Sequence, residues 1–215
     1  LGAHGTTGAD YSGPIHFFKA DPAKVPWEPL LFKEFGKARS GGIRFDPKGN
    51  LYVGKTNGKP KDLPKGFEKD GPFQDSTGRI YKYAPTGAMG NLFPKDPEAP
   101  AKVYEVYYGS IGPQFSRTPR FGVDGYGRIY YPTSLLPRVS VIDNEGNPVL
   151  SFGTYGNRDS LGGLPGDLVP TPDVPMAFPN SVDATDDHIL VTDIVNIRLL
   201  RLAKTFAAAE TVGIK

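Results

Sequence analysis

Cysteine is absent from the 215 residues, which excludes disulfide staples, thiolate metal sites and c-type haem attachment. No apolar run approaches the ~18 residues that a helical membrane span requires. Histidine is scarce: His4 lies in the opening segment, His16 in an outer strand and His188 in a turn. None stands in a nucleophile motif, so serine–histidine or cysteine–histidine chemistry has no candidate. An excess of one charge is also lacking, with a formal net charge of +2. The most basic segment, "KTNGKPKDLPKGFEKDG", is diluted by its own carboxylates. Such a balance offers no field for a polyanion, and nucleic acid is not an expected partner. The glycine-rich stretches "GTTGADYSG" and "SLGGLPG" are followed by no helical periodicity, so neither reads as a phosphate loop. The chain opens on Leu1 without a signal-peptide pattern, and the expectation is a processed portion of a longer polypeptide.

What is present is turn chemistry and aromatic strands. Gly (27) and Pro (22) are abundant, yet Tyr (11) and Phe (13) are spread through the chain, enough apolar surface to build a core. Three segments align: "GGIRFDPKGNLYVG" from Gly41, "PRFGVDGYGRIYYP" from Pro119 and "NSVDATDDHILVTD" from Asn180. Each is an alternating strand, a polar turn and a second apolar strand, the signature of a β-hairpin. A second hairpin follows each: "GRIYKYAPTG" with "KVYEVYYG", then "RVSVIDNEGNPVLSFG", then "IRLLRLAKTFAAAETVGI". Four strands per repeated unit is the pattern of a β-propeller blade.

The predicted fold is therefore all-β, a propeller of four-stranded antiparallel blades that is incomplete within this chain and six-bladed when whole. The expected divisions are an irregular segment over 1–13 and a partial propeller over 14–215. Within it lie a half blade (14–36), a blade over 40–109 interrupted by an insertion at 54–77, a blade over 118–153, a long loop at 154–178 and a last blade over 179–214. Asp193 and Asn196 interrupt the apolar run "HILVTDIVNIRLLRL", and both suit a turn closed by bonds to nearby backbone amides.

The stretches "FDPKGNLYVG", "VDGYGRIYYP", "VTDIVNIRLLRL" and "NEGNPVLSFGTYGN" resemble the NHL-repeat family of β-propellers. Ile197 departs from the family pattern, standing where its name-giving His would be. The turn motif is absent from the second blade, where "TSLLPR" replaces it, and is swamped by the insertion in the first. "PNSVDATDDHILVTD" is similar to a strand of gluconolactonase-like propellers. That resemblance implies Asn180 as a ligand of a divalent cation such as calcium in the central channel. The corresponding positions are Gly42 and Arg120, and an arginine there would repel a cation.

The expected role is a non-enzymatic binding or assembly module that presents long loops to a protein or glycan, without a cofactor. The alternative is a metal-dependent hydrolase or lyase with Asn180 as ligand. Loops longer than about 12–15 residues are usually functional or disordered, and the two insertions are expected on opposite faces. Recognition residues are expected among Tyr107, Tyr108, Phe115, Arg120 and Tyr131, since tyrosine offers contact area at low entropic cost. The expected partner completes the propeller or packs on its open edges: the rest of the precursor, or another copy. The expected setting is extracytoplasmic.

Overall fold

The computed structural model describes residues 2–5, 15–18, 28–32, 39–56, 77–85, 100–107, 120–157 and 172–205. Among them there is no helix, and so none long and apolar enough to cross a membrane. The strands are β1 (Gly2–Gly5), β2 (Ile15–Phe18), β3 (Glu28–Phe32), β4 (Arg39–Phe45), β5 (Leu51–Thr56), β6 (Thr77–Tyr83), β7 (Lys102–Tyr107) and β8 (Gly122–Val123). They continue with β9 (Ile129–Thr133), β10 (Arg138–Ile142), β11 (Pro148–Phe152), β12 (Thr154–Tyr155), β13 (Pro175–Met176), β14 (Pro179–Ala184), β15 (His188–Asp193) and β16 (Arg198–Ala203). β4 to β7 form one four-stranded antiparallel meander and β8 to β11 another, while β14 to β16 supply three strands of a third.

The first strands of successive sheets lie side by side. Arg120 forms a parallel bridge to Ser181, with Arg120 N donating to Asn180 O at 3.1 Å and Val182 N donating to Arg120 O at 2.8 Å. Close approach explains Gly122: a Cβ there would stand 2.8 Å from the Ala184 amide nitrogen and 2.9 Å from Asp183 Cα. Only glycine allows the neighbouring backbone so near.

The apolar residues lie between the sheets. One cluster joins Tyr52, Ile80, Tyr104 and Val106 of the first meander to Phe121, Val123, Ile129 and Ile142 of the second. The next joins Tyr130, Val139 and Val141 to Met176, Val182, Ala184, Ile189 and Val191. Alternation along β9 decides this, since Ile129 points to one neighbour and Tyr130 to the other. Each fully buried aliphatic side chain contributes about 1.5–3 kcal/mol. Stacked four-stranded meanders with adjacent first strands make this an all-β propeller arrangement.

Several expectations need correction. Gly2–Gly5 is not irregular: it pairs antiparallel with β2, and β1, β2 and β3 form a three-stranded sheet. β5 runs on to Thr56 and β6 begins at Thr77, so the first insertion spans 57–76, outside the described residues. The second loop is anchored at both ends, where β12 pairs in parallel with β13. The outer strand expected after Thr205 lies outside the described residues.

The two insertions do not leave from opposite faces. In an antiparallel meander, the turn between the second and third strands and the link to the next sheet fall at the same end. Contacts agree: Asn196, in the β15–β16 turn, donates Nδ2 to Gly156 O in the preceding link at 2.8 Å. We call this the lower end, and the end carrying Asp46 and Asp124 the upper end.

Candidate binding face

At the upper end, the turns repeat one device. Asp46 Oδ1 accepts from Asn50 N at 2.9 Å, while its Oδ2 accepts from Asn50 Nδ2 at 2.7 Å and Tyr52 OH at 3.1 Å. In the next sheet, Asp124 Oδ1 accepts from Tyr126 N and Arg128 N at 3.1 and 3.0 Å. Its Oδ2 accepts from Arg128 Nε at 2.7 Å and Tyr130 OH at 2.8 Å. The aspartate satisfies turn amides that would otherwise lack partners, and the tyrosine six residues on braces it. In the third sheet Thr185 replaces the aspartate, with its hydroxyl accepting from His188 N at 3.0 Å. There Leu190 stands where the other sheets carry tyrosine, so brace and carboxylate disappear together.

These groups also tie the sheets to each other. Lys204 Nζ reaches back to Asp124 Oδ2 at 3.0 Å and lies 4.6 Å from the Tyr130 ring centre. Gly125 N donates to Asp186 Oδ1 at 2.9 Å. Tyr104 OH donates to Asn144 O at 2.9 Å, and Lys82 Nζ and Lys102 Nζ donate to Asn144 and Glu145 respectively. Burial would raise the Asp124 carboxyl, but bonds from Lys204, Tyr130 and Arg128 outweigh it and hold the group below its ordinary value. Burial, then the nearby carboxylates Glu145, Asp143 and Asp46, pushes Tyr104 up to about 12. Burial first, and the Asp46 or Asp124 carboxylate second, raises Tyr52 and Tyr130 as well. The carboxylates, lysines and tyrosines of this network are thus occupied in holding turns and sheets together.

The lower end is built differently. Asp193 is fully buried and accepts from Ala177 N, Phe178 N at 2.9 Å, Asn196 Nδ2 at 2.7 Å and Arg198 Nε at 3.3 Å. Arg198 also donates to Pro175 O. Asp193 and Asn196 do sit at a turn, joined side chain to side chain, but the backbone amides that Asp193 takes are those of Ala177 and Phe178 in the preceding link rather than those of the turn. The equivalent turn of the second sheet is present in shape although its motif is missing. Thr133 pairs with Arg138 as Asp193 pairs with Arg198, and Leu136 N donates to Thr133 O at 3.0 Å. Its Ser134 hydroxyl donates to Pro179 O, while Ile194 N of the third sheet donates to Phe178 O at 3.2 Å. The two turns therefore flank the adjacent residues Phe178 and Pro179.

Their tips are apolar and exposed. Leu135 and Leu136 in one turn, and Ile194, Val195 and Ile197 in the other, face solvent, with Ile197 86% accessible. Ile197 also holds a φ of 53°, in the left-handed region that a β-branched residue seldom occupies. Sequence reasoning missed these tips, although aliphatic residues in "SLLP" and "DIVNI" at turn positions were a visible signal.

Of the residues expected to recognise a partner, two reach this end. Tyr107 is half-buried at the last position of β7, and Arg120 is exposed beside the start of the second sheet. Tyr131 lies mid-strand, half-buried against the first inter-sheet cluster. Burial raises its hydroxyl, opposed by a bond with Ser140 and by Arg138. Tyr108 and Phe115 lie outside the described residues.

Asn180 is adjacent to Arg120, and its Oδ1 is buried without a hydrogen-bond partner. A hard divalent cation wants several convergent oxygens, carboxylates among them. Among the described residues no three His, Asp or Glu side chains gather, and the nearest first-strand neighbour is an arginine. The described residues beside Asn180 do not supply that set.

No family model and no curated protein matches this chain. Among solved structures it is similar to a catalytically inactive virginiamycin B lyase from Staphylococcus aureus with quinupristin. That likeness has 13% identity and a TM-score of 0.35, over 96% of this chain and 74% of that one. A streptogramin B lyase is similar at 12% identity and a TM-score of 0.31, over 94% of this chain and 68% of that one. The propeller arrangement rests on the strand pairing and inter-sheet cores, not on these likenesses.

Proposed function

We propose that this chain is a non-enzymatic binding module of NHL-repeat type, working outside the cytoplasm, whose lower end engages a polypeptide or glycan. The partner is further polypeptide that completes or packs on the propeller, from the same precursor or another copy, or a carbohydrate. One observation carries this reading. The upper-end network uses its polar groups within the fold, whereas the lower end exposes aliphatic tips and sends out both long insertions. Exposed apolar patches of this kind mark interaction sites.

A photo-reactive residue at position 195 should crosslink to a partner in the native host, whereas one at the exposed upper position 126 should not. Crosslinking confined to position 126, or to neither, overturns the reading. The competing metal-dependent hydrolase or lyase needs a cation near Asn180. Titration calorimetry with calcium should give no heat of binding; a calcium isotherm lost in Asn180→Ala would favour the enzyme.

A further inference from the structure

Resting on that reading, we infer that the lower end recognises an acidic polypeptide segment carrying apolar side chains, seated across the two turn tips between Arg120 and Arg138. Three independent features meet there. The first is conformational. Ile197 combines a left-handed backbone with nearly full exposure, so it helps neither the chain's conformation nor its core. A residue unfavourable on both counts is an outlier that points to use elsewhere.

The second is the repetition of exposed aliphatic tips in adjacent turns. The Ser134–Pro179 and Ile194–Phe178 bonds hold Leu135 and Leu136 on one side of a two-residue segment and Ile194 and Val195 on the other. The result is a surface anchored by rigid sheets rather than scattered apolar residues.

The third is charge. Arg198 in the third sheet has the buried carboxylate of Asp193 beside it, at 3.3 Å. Arg138 holds the same position in the second sheet, but its cross-strand neighbour is Thr133. The arginine is kept while its carboxylate is lost, and Arg138 Nε is left buried without a hydrogen-bond partner. Arg120 is exposed, and its guanidinium makes no ion pair with a described residue. Arginine forks of this kind suit carboxylates. Two arginines without a carboxylate partner among the described residues, beside apolar tips, complement a segment that alternates acidic and aliphatic residues.

The test uses the whole chain and three fluorescein-labelled twelve-residue peptides of alternating Glu-Leu, Ser-Leu and Lys-Leu, followed by fluorescence anisotropy. Glu-Leu should bind, with Ser-Leu at least tenfold weaker and Lys-Leu undetectable. Binding should weaken about tenfold in Arg138→Gln and in Ile197→Asn. Ile197→Asn suits the left-handed backbone better, so its Tm should hold or rise while binding falls, separating recognition from folding. Equal binding of the three peptides overturns the charge argument but leaves the binding-module reading standing. Binding of none overturns the inference alone, since the binding-module reading stands or falls by the crosslinking at position 195. Two further outcomes overturn the proposal by naming another occupant. One is stronger binding to phosphatidylserine vesicles than to the Glu-Leu peptide. The other is a dimer in light scattering that Ile197→Asn dissolves.

Discussion

Asn196 donates its side-chain amide to Asp193 Oδ2 at 2.7 Å and to Gly156 O at 2.8 Å, so one turn holds both itself and the link before its sheet. Asp193→Ala would leave the Ala177 and Phe178 amides and the Arg198 guanidinium without their acceptor. A loss of about 3 kcal/mol is expected, because removing the buried acceptor strands two backbone amides and weakens the hold on the partly buried Arg198. Urea denaturation should show the midpoint falling; a change under about 1 kcal/mol would mean that the clamp contributes little.

Gly122→Ala tests the contact between first strands. Its Cβ would meet backbone atoms of Asp183 and Ala184 at 2.8–3.0 Å, and backbone cannot rotate aside. About 2 kcal/mol of destabilisation is expected from overpacking. Gly125→Ala would meet only the Asp186 carboxylate, an exposed side chain that can swing away, and should lose less. Thermal melts of the two variants rank them.

Acid should act through Asp124. Its folded carboxyl titrates below the unfolded value of about 3.9, because bonds from Lys204, Tyr130 and Arg128 outweigh burial. Its contribution is therefore present above the unfolded pKa and lost as pH falls through the folded one. Asp124→Asn should be less stable than the parent at pH 7 and converge towards it as pH falls through the folded value. Parallel stability curves at all pH values would contradict this assignment.

Alkali should act through the buried tyrosines. Tyr52 and Tyr130 are held protonated, by burial first and by Asp46 or Asp124 second, whereas unfolded tyrosine ionises near about 10. Stability from this source is full below about pH 10 and declines as pH rises towards the folded values. The Tyr52→Phe, Tyr130→Phe double variant should show a flatter alkaline limb. It should also lose about 1 kcal/mol per hydroxyl at neutral pH.

The hairpins, their polar turns and the four-stranded unit were legible because strands alternate and turns need special residues. "FDPKGNLYVG" and "VDGYGRIYYP" carry both signals within ten residues each. Asp193 and Asn196 were legible as a turn for the same local reason. The reach of Asn196 to Gly156, forty residues away, was not, since no local pattern encodes which link packs beside which turn. The common face of the two insertions follows from strand direction, and only the folded contacts made it plain.

Short-range chemistry along the chain thus determined the strands, the hairpin turns and the propeller class. Tertiary structure alone decided that Arg138 Nε is buried without a partner, that Tyr131 packs inward, and that aliphatic tips from two sheets share one end. Those are relations between residues on different strands or sheets, and distance in space is set by the packing of whole sheets rather than by any stretch of sequence.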